Sequence, residues 1–600
     1  MTVVAHGIPR HSEAQGLVPA TSREELDAAA RALAGTRDTW AAVPPRERVA
    51  ILDRLIEDFL AVSGLWVMAS LEAKDVAAGT PGEADEWLAG PFSVLRNMRL
   101  LRESLAELAA DRTPRVPGPV RPLPDGQVAA RVFPATIWDR AFYAGVTADI
   151  WMQPGVGMAG VSGTQALAYR AGAIAAEGPG SPSPAGRRTD AGGSGAVCLV
   201  LGAGNVSSIG PMDTLYKLFV ENRVVLYKAH PVNAYLGPLM ERAFAAVIER
   251  GALKVVYGGA ETGTYLCAHD AVDEIHITGS DKTYDAIVFG AGPDGERRKA
   301  AGTPALAKRV TAELGNVSPV IVVPGPWSER DIRYQAVNLV SSLVNNAGFN
   351  CNASRVIVQH AGWTLRPRLL DAVRAVLAGV PPRRAWYPGA ASRDAAFRAA
   401  HPEAERFGPA GEGQLPWTLI PGLDPQRRED VCFGTEAFCG LWAETPIAAP
   451  DVPAYLERAV RFCNETLWGS LNATILVHPR SMADPAVRVA VERAIADLRY
   501  GAISVNHWGA IAYALGVTTW GAFPGHPATD IQSGTGVVHN TLMFSRAEKS
   551  VVRAPFRVWP LPPWFVSNRM GARLGPKLAA FEARPSLGKA MGIFGTAMRG

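Results

Sequence analysis

Cys351 lies in the run NNAGFNCNASRVIV, and a thiol there means little without partners. A free cysteine is more often a small buried hydrophobe than a nucleophile. Three residues upstream have the types that thiol chemistry would need. Glu313, in TAELGNVSPVIV, offers a carboxylate that can activate water as a general base. Asn205, in LGAGNVSS, offers an amide that can donate to the oxyanion formed when a thiolate adds to a carbonyl, an interaction of about 3 kcal/mol. Lys228, at the end of VVLYK, can hydrogen-bond ribose hydroxyls. Taken singly, Asn205 reads as a turn residue, Lys228 as a solvated cation and Glu313 as a surface carboxylate. Their common order along the chain carries the weight.

That order resembles the aldehyde dehydrogenase superfamily, of which the chain reads as a divergent member. Gly348, Cys351, Ala353 and Arg355 match the family's Gly-Gln-x-Cys-x-Ala motif and its following Arg, with Phe349 in place of Gln. Glu313, Leu314, Gly315, Ser318 and Pro319 match Glu-Leu-Gly-Gly-Lys-Ser-Pro, with Asn316 and Val317 departing from it. Asn205 and Lys228 fall at the separation of the family's catalytic Asn and cofactor-binding Lys. In EIHITGSDKTYDAIV, Thr278, Gly279 and Ser280 match a strand end feeding a helix, where small residues let backbone N–H groups approach a pyrophosphate. Tyr284 replaces the family's second glycine there. Gly263 fits the adenine pocket. Glu436 and Phe438, in FGTEAFCG, fit the nicotinamide ribose and ring, although Cys439-Gly440 replaces the usual Gly-Pro. Asn464, Gly469 and Val505-Asn506 echo two further landmarks and read as structural. The resemblance covers roughly residues 23–546.

It implies NAD(P)-dependent oxidation of an aldehyde to an acid. Cys351 would add to the aldehyde, Asn205 would hold the oxyanion, and Glu313 would activate water to release the acid from a thioester. Cofactor binding would fall to Lys228, Gly263, Gly279, Ser280, Glu436 and Phe438. Pro231 stands where NAD-preferring relatives carry a Glu, so NAD and NADP both stay open, with His230 placed to touch a 2′-phosphate. The main alternative is a CoA-acylating aldehyde dehydrogenase or acyl-CoA reductase on the same fold; Glu313 argues against it. A catalytically retired scaffold and an unrelated Rossmann reductase are further options, and neither accounts for the filled catalytic positions. Trp417, Trp468 and Trp508 are candidates for an apolar aldehyde pocket, with core packing the commoner role for such residues.

The elements that must position these groups alternate strand and helix. AVCLVLGAGN, RVVLYKAH, LKVVYGG and EIHITGS are apolar runs ending in Gly and polar residues, separated by helical segments. This is the pattern of a parallel sheet covered on both faces, which binds ligands beyond its carboxyl ends. Before it, Ser22 and Glu25 have capping-box spacing, and Leu52, Leu55, Ile56 and Phe59 share a helix face. The expected fold is α/β and aldehyde dehydrogenase-like: a Rossmann-type cofactor domain, an α/β catalytic domain and a small β oligomerisation extension. Residues 1–310 should hold the N-terminal helices and cofactor domain, with oligomerisation strands near 115–150 and a flexible Gly/Ser/Pro loop at 177–195. Residues 311–505 should form the catalytic domain, and 506–552 should return to the cofactor domain and an oligomerisation strand. Residues 553–600 read as a basic, apolar tail.

A net charge of +4 spread along 600 residues gives no reason to expect nucleic acid. The six cysteines include no Cys-x-x-Cys pair, so no metal site is expected, and they suit a reducing, cytoplasmic setting. No apolar run reaches the roughly 20 residues that span a bilayer. For the tail, packing on the protein or disorder is favoured over a membrane-surface contact. The family likeness implies a homodimer or homotetramer and a small-molecule aldehyde substrate.

Overall fold

The computed structural model describes residues 18–170 and 195–599. The chain divides into two compact units. The first draws on Met1–Arg112, Leu167–Thr311 and Arg569–Gly600; the second draws on Thr113–Ala166 and Ala312–Asn568. Of the 177–195 loop, only Gly195 is among the described residues, where its amide donates to Asp38 Oδ1 at 2.6 Å.

The first unit is built on four parallel strands in the order Glu274–Gly279, Val197–Leu201, Val224–Lys228, Leu253–Val256. These are the four apolar runs picked out in the sequence, and their side chains are almost all buried. The helix Arg23–Ala41 starts at the expected capping box, in which Ser22 Oγ accepts from the Glu25 amide and Glu25 accepts from the Ser22 amide at 2.9 Å. Leu52, Leu55, Ile56 and Phe59 turn inward from the helix Pro45–Lys74. Continuous β-branched runs make the buried sheet, and 3.6-residue periodicity makes the helices that cover it.

The second unit holds an eleven-stranded sheet. At its centre Ser318–Val322 lies between Asn472–Leu476 and Ser354–His360, all parallel. Leu441–Ile447 and Trp417–Ile420 extend it on one side, and Ala502–Val505 on the other. The core against it includes Val320, Ile332, Leu339, Leu343, Ile357 and Trp417.

Residues 506–552 were expected to return to the cofactor domain, but they group with the second unit. The reason is strand pairing: Ala547–Arg553 runs parallel to Ala502–Val505 and antiparallel to Thr147–Met152. Val128–Phe133 and Val120–Pro122 follow outward, so the extension near 115–150 is the margin of the same sheet within one chain. The tail also divides. Its first part, to Asn568, lies in the second unit, and helices Gly571–Ala583 and Leu587–Ala597 belong to the first. Glu582 anchors the first of these helices by accepting from Arg96 at 2.8 Å and Arg99 at 2.5 Å, so the tail is packed on the protein. Among the described residues, no helix is long and apolar enough to cross a membrane.

Candidate active site

In the second unit, Cys351 sits after a turn that few sequences could make. Asn346, Ala347 and Gly348 are all left-handed, with φ of 50°, 57° and 82°. Asn tolerates this region, Gly adopts it freely, and Ala does so at a cost of order 1 kcal/mol or more. Buried amides hold the turn: Asn350 Nδ2 donates to Asn345 Oδ1 at 2.9 Å, and Asn346 Nδ2 donates to Asn350 Oδ1 at 3.1 Å. A Cβ at Gly348 would lie 2.5 Å from the Cys439 carbonyl oxygen, so the motif's glycine is required by close approach as well as by φ.

Arg355, the motif's arginine, locks the turn to its neighbour. Its buried guanidinium donates to the carbonyls of Gly348 at 2.5 Å, Cys439 at 2.6 Å and Leu441 at 3.3 Å. Arg355→Met should therefore lower stability by about 3 kcal/mol, because three buried carbonyls lose their donors. Urea unfolding monitored by tryptophan fluorescence checks this; a loss below about 0.5 kcal/mol would contradict the locking role.

Cys351 is only partly buried, and it meets both sequence-predicted carboxylates of its unit. Glu313 and Glu436 both lie close enough to act on its thiol electrostatically. Burial first, then the charges of Glu313 and Glu436, hold the thiol well above its usual range. Glu313 ends the strand Arg309–Leu314, where its backbone pairs with Gly534. The carboxylate of Glu436 presses on the backbone at Gly315, where an added Cβ would sit 2.0 Å from Oε2. This explains the glycine of Glu-Leu-Gly. The departing residue Asn316 is buried and structural, its amide donating to Asn472 O at 2.8 Å and Ser318 Oγ at 3.1 Å.

Phe438 has a left-handed backbone, φ 43°, and Arg393 braces it by donating to Ala437 O at 3.0 Å and Phe438 O at 3.1 Å. Phe349, in the Gln position, packs on Trp386 at 5.0 Å, Tyr387 at 5.7 Å and Phe438 at 6.0 Å between ring centroids. The Gln-to-Phe departure thus belongs to an aromatic cluster. Sequence reading missed Arg393, Trp386 and Tyr387; aromatic residues facing a non-standard Phe349 were the available signal.

Of the three tryptophans proposed for a pocket, Trp417 is core, with Nε1 donating to Val380 O at 2.9 Å. Trp508 is different. Its Nε1 donates at 2.7 Å to the carbonyl of Asn352, the residue after Cys351. Trp564 packs at a tilt against Trp508 at 5.2 Å and His507 at 5.4 Å between ring centroids. Burial pushes His507 down to about 4, which leaves it neutral at pH 7. An uncharged aromatic wall therefore stands next to the nucleophile, and Trp564 was hidden in what read as tail. Asn464, Gly469 and Asn506 are structural, as anticipated: Asn506 Oδ1 accepts from Val477 N at 2.8 Å, and a Cβ at Gly469 would meet Asn316 at 2.5 Å.

The remaining candidates are gathered in the first unit at the carboxyl ends of its parallel strands. Asn205 follows Val197–Leu201 and is 6% exposed. Lys228 ends its strand, and burial lowers it to about 8. An ideal Cβ at Gly263 would be 3.9 Å from the Lys228 side chain, so Gly263 flanks it without being sterically demanded. Gly279 and Ser280 are exposed at the start of the helix Asp281–Val288, where Ser280 Oγ accepts from the Thr283 amide at 3.2 Å. Tyr284 is buried and turned into the protein. His230 accepts from Val232 N at 3.2 Å, and burial followed by the Lys228 charge pushes it down to about 4, so it brings no positive charge for a 2′-phosphate. Exposed backbone at strand ends and a helix start, beside a desolvated lysine, fit the phosphates and ribose of a dinucleotide.

Among the described residues, His401, Asp430 and Cys432 form one cluster with metal-ligating atoms. His401 bridges Glu403 at 2.9 Å and Asp430 at 3.1 Å, and Asp430 caps the short helix Val431–Gly434. These groups satisfy one another.

The second unit thus sets a partly buried thiol near two carboxylates, and the first unit gathers glycines at its strand ends. The model of the aldehyde dehydrogenase family matches residues 197–403. N-succinylglutamate 5-semialdehyde dehydrogenase of Sphingopyxis alaskensis is 32% identical over 143 residues, 24% of this chain and 27% of the relative. Human 4-trimethylaminobutyraldehyde dehydrogenase is 30% identical over 166 residues, 27% of this chain and 30% of the relative. The chain thus spans less than a third of the length of these curated relatives. Over the whole fold, aldehyde dehydrogenase C of Pseudomonas syringae, solved with NAD+ and octanal, superposes with a TM-score of 0.58 at 15% identity, covering 90% of this chain and 91% of that one. NADP-dependent glyceraldehyde-3-phosphate dehydrogenase of Bacillus halodurans, solved with NADP, gives 0.57 at 16% identity, covering 89% and 92%. At that identity the likeness shows the fold. Residues 197–403 thus resemble the aldehyde dehydrogenase family, and the chain has the fold of these solved aldehyde dehydrogenases.

Proposed function

We propose that the protein oxidises an apolar aldehyde to its carboxylic acid with NAD or NADP, through a thioester on Cys351. The observation that carries this reading is the partly buried Cys351 thiol set near the carboxylates of Glu313 and Glu436. Glu313 takes the thiol proton as Cys351 adds to the aldehyde carbon. Asn205 and the Cys351 backbone N–H are the proposed donors to the resulting oxyanion. The dinucleotide, when bound, supplies the two-electron acceptor that turns a hemithioacetal into a thioester. Lys228, Gly263, Gly279, Ser280, Glu436 and Phe438 are the residues proposed to hold it. Glu313 then deprotonates the water that frees the acid. The neutral wall of Trp508, Trp564 and His507 supports an apolar substrate, since an ionised one would lose hydration there without a counter-charge.

The test is a panel of aliphatic and aromatic aldehydes with each cofactor, with and without CoA. Acid should form in step with reduced cofactor in the absence of CoA. Strict dependence on CoA, with acyl-CoA as product, would replace the reading by the acylating one. The proposed setting is cytoplasmic, supported by six cysteines that are all free. A homodimer or homotetramer is proposed from the family likeness, supported by Ile137, a large apolar residue exposed on the extension.

A further inference from the structure

The helix Leu587–Ala597 is apolar on more than one side, and its neighbours cover only part of it. Ala590 and Ile593 are buried, and Lys577 of the preceding helix ties the hairpin together by donating to Thr596 Oγ1 at 2.5 Å. At the helical turn of roughly 100° per residue, Leu587, Met591 and Met598 fall within an arc of about 40° on another side. They are 66%, 66% and 58% exposed. Single exposed apolar residues are ordinary, but an aligned stripe of large ones marks a contact surface. The adjacent exposed positions Gly588 and Gly592 carry no charge that would keep the stripe in water.

Charge identifies the partner. From Arg569 to Arg599 the chain has one acid, Glu582, and it is buried against Arg96 and Arg99. Arg569, Arg573, Lys577, Arg584 and Arg599 are all exposed. The hairpin therefore shows solvent a net positive, partly apolar surface. Two copies pressed together through this face would bring like charges into opposition, whereas anionic lipid headgroups would neutralise them. An eleven-residue helix is far too short to span a bilayer, so it would lie in the interface. The geometry points to a monotopic membrane contact. Leu587, Met591 and Met598 enter the headgroup boundary of an anionic bilayer, and the surrounding arginines face the lipid phosphates.

The full chain should co-sediment with vesicles of mixed phosphatidylglycerol and phosphatidylcholine but not of phosphatidylcholine alone, and raised salt should release it. The variant L587S/M591S/M598S should bind at least about tenfold more weakly, and R573E/R584E likewise. Both should keep the wild-type melting temperature and activity in solution, because the altered side chains are exposed. Failure of the wild type to sediment, or equal binding by the triple variant, would overturn the inference. So would a wild-type dimer that the triple variant dissolves into monomers, which would assign the stripe to a second copy. None of these outcomes depends on the oxidation chemistry.

Discussion

Cys351→Ser should abolish aldehyde oxidation, with kcat/KM falling by on the order of 10,000-fold. Serine preserves the size of the side chain, so the left-handed turn at Asn346–Gly348 and the Arg355 lock should survive. What changes is the nucleophile: an alcohol deprotonates far less readily than a thiol, and Glu313 cannot compensate for that difference. Alkylation offers an independent check. Among the six cysteines only Cys351 is partly exposed, while the other five are buried. Burial pushes Cys267 and Cys439 up to about 11 and holds Cys198, Cys432 and Cys463 higher still. Iodoacetamide should therefore label the native wild type once and the variant not at all. A Cys351→Ser enzyme retaining a tenth or so of the activity would remove the covalent mechanism from consideration.

Glu313→Gln should produce two effects of opposite sign. Release of the acid should slow by about 1,000-fold, because the amide cannot take a proton from water. Intact-mass measurement after mixing with aldehyde and cofactor should then find an acyl group on Cys351, with a burst of reduced cofactor and little turnover. Alkylation of the free enzyme near pH 7 should nevertheless become faster. A carboxylate beside a thiol destabilises the thiolate, so the wild-type thiol sits well above its ordinary value. Replacing that carboxylate with a neutral amide lowers the thiol's pKa and raises the thiolate fraction at fixed pH. The alkylation-against-pH curve should shift to lower pH in the variant. Slower alkylation across the whole range would mean that loss of Glu313 as the thiol's base outweighs relief of its charge on the thiolate.

The local patterns were legible in the sequence because short-range rules govern them. Four apolar runs ending in Gly or polar residues became the four parallel strands, and Ser22 with Glu25 formed the capping box. The thiol and both carboxylates of the second unit were named from motif context, and the structure brings all three together. Their glycines were visible too, although the reasons were not. Gly315 is needed because Glu436 lies against it, and Gly348 because Cys439 does, contacts between segments about 90 to 120 residues apart.

Tertiary structure alone decided the rest. Whether Phe349 damaged the motif depended on Trp386, Tyr387 and Phe438 surrounding it, which no spacing reveals. Trp508 and Trp417 look alike in sequence; one bonds the residue after the nucleophile and the other fills the core. Residues 506–552 were assigned to the cofactor domain, yet hydrogen bonds of Ala547–Arg553 to Ala502–Val505 and Thr147–Met152 hold them in the other unit. The tail's composition was read from the sequence, but not that its helices pack through Glu582 while leaving Leu587, Met591 and Met598 exposed. Residue type and spacing determine which chemistry a segment can perform and which local element it forms. Strand pairing across hundreds of residues and side-chain packing decide which segments meet, because those free energies exist only once the distant partners are in place.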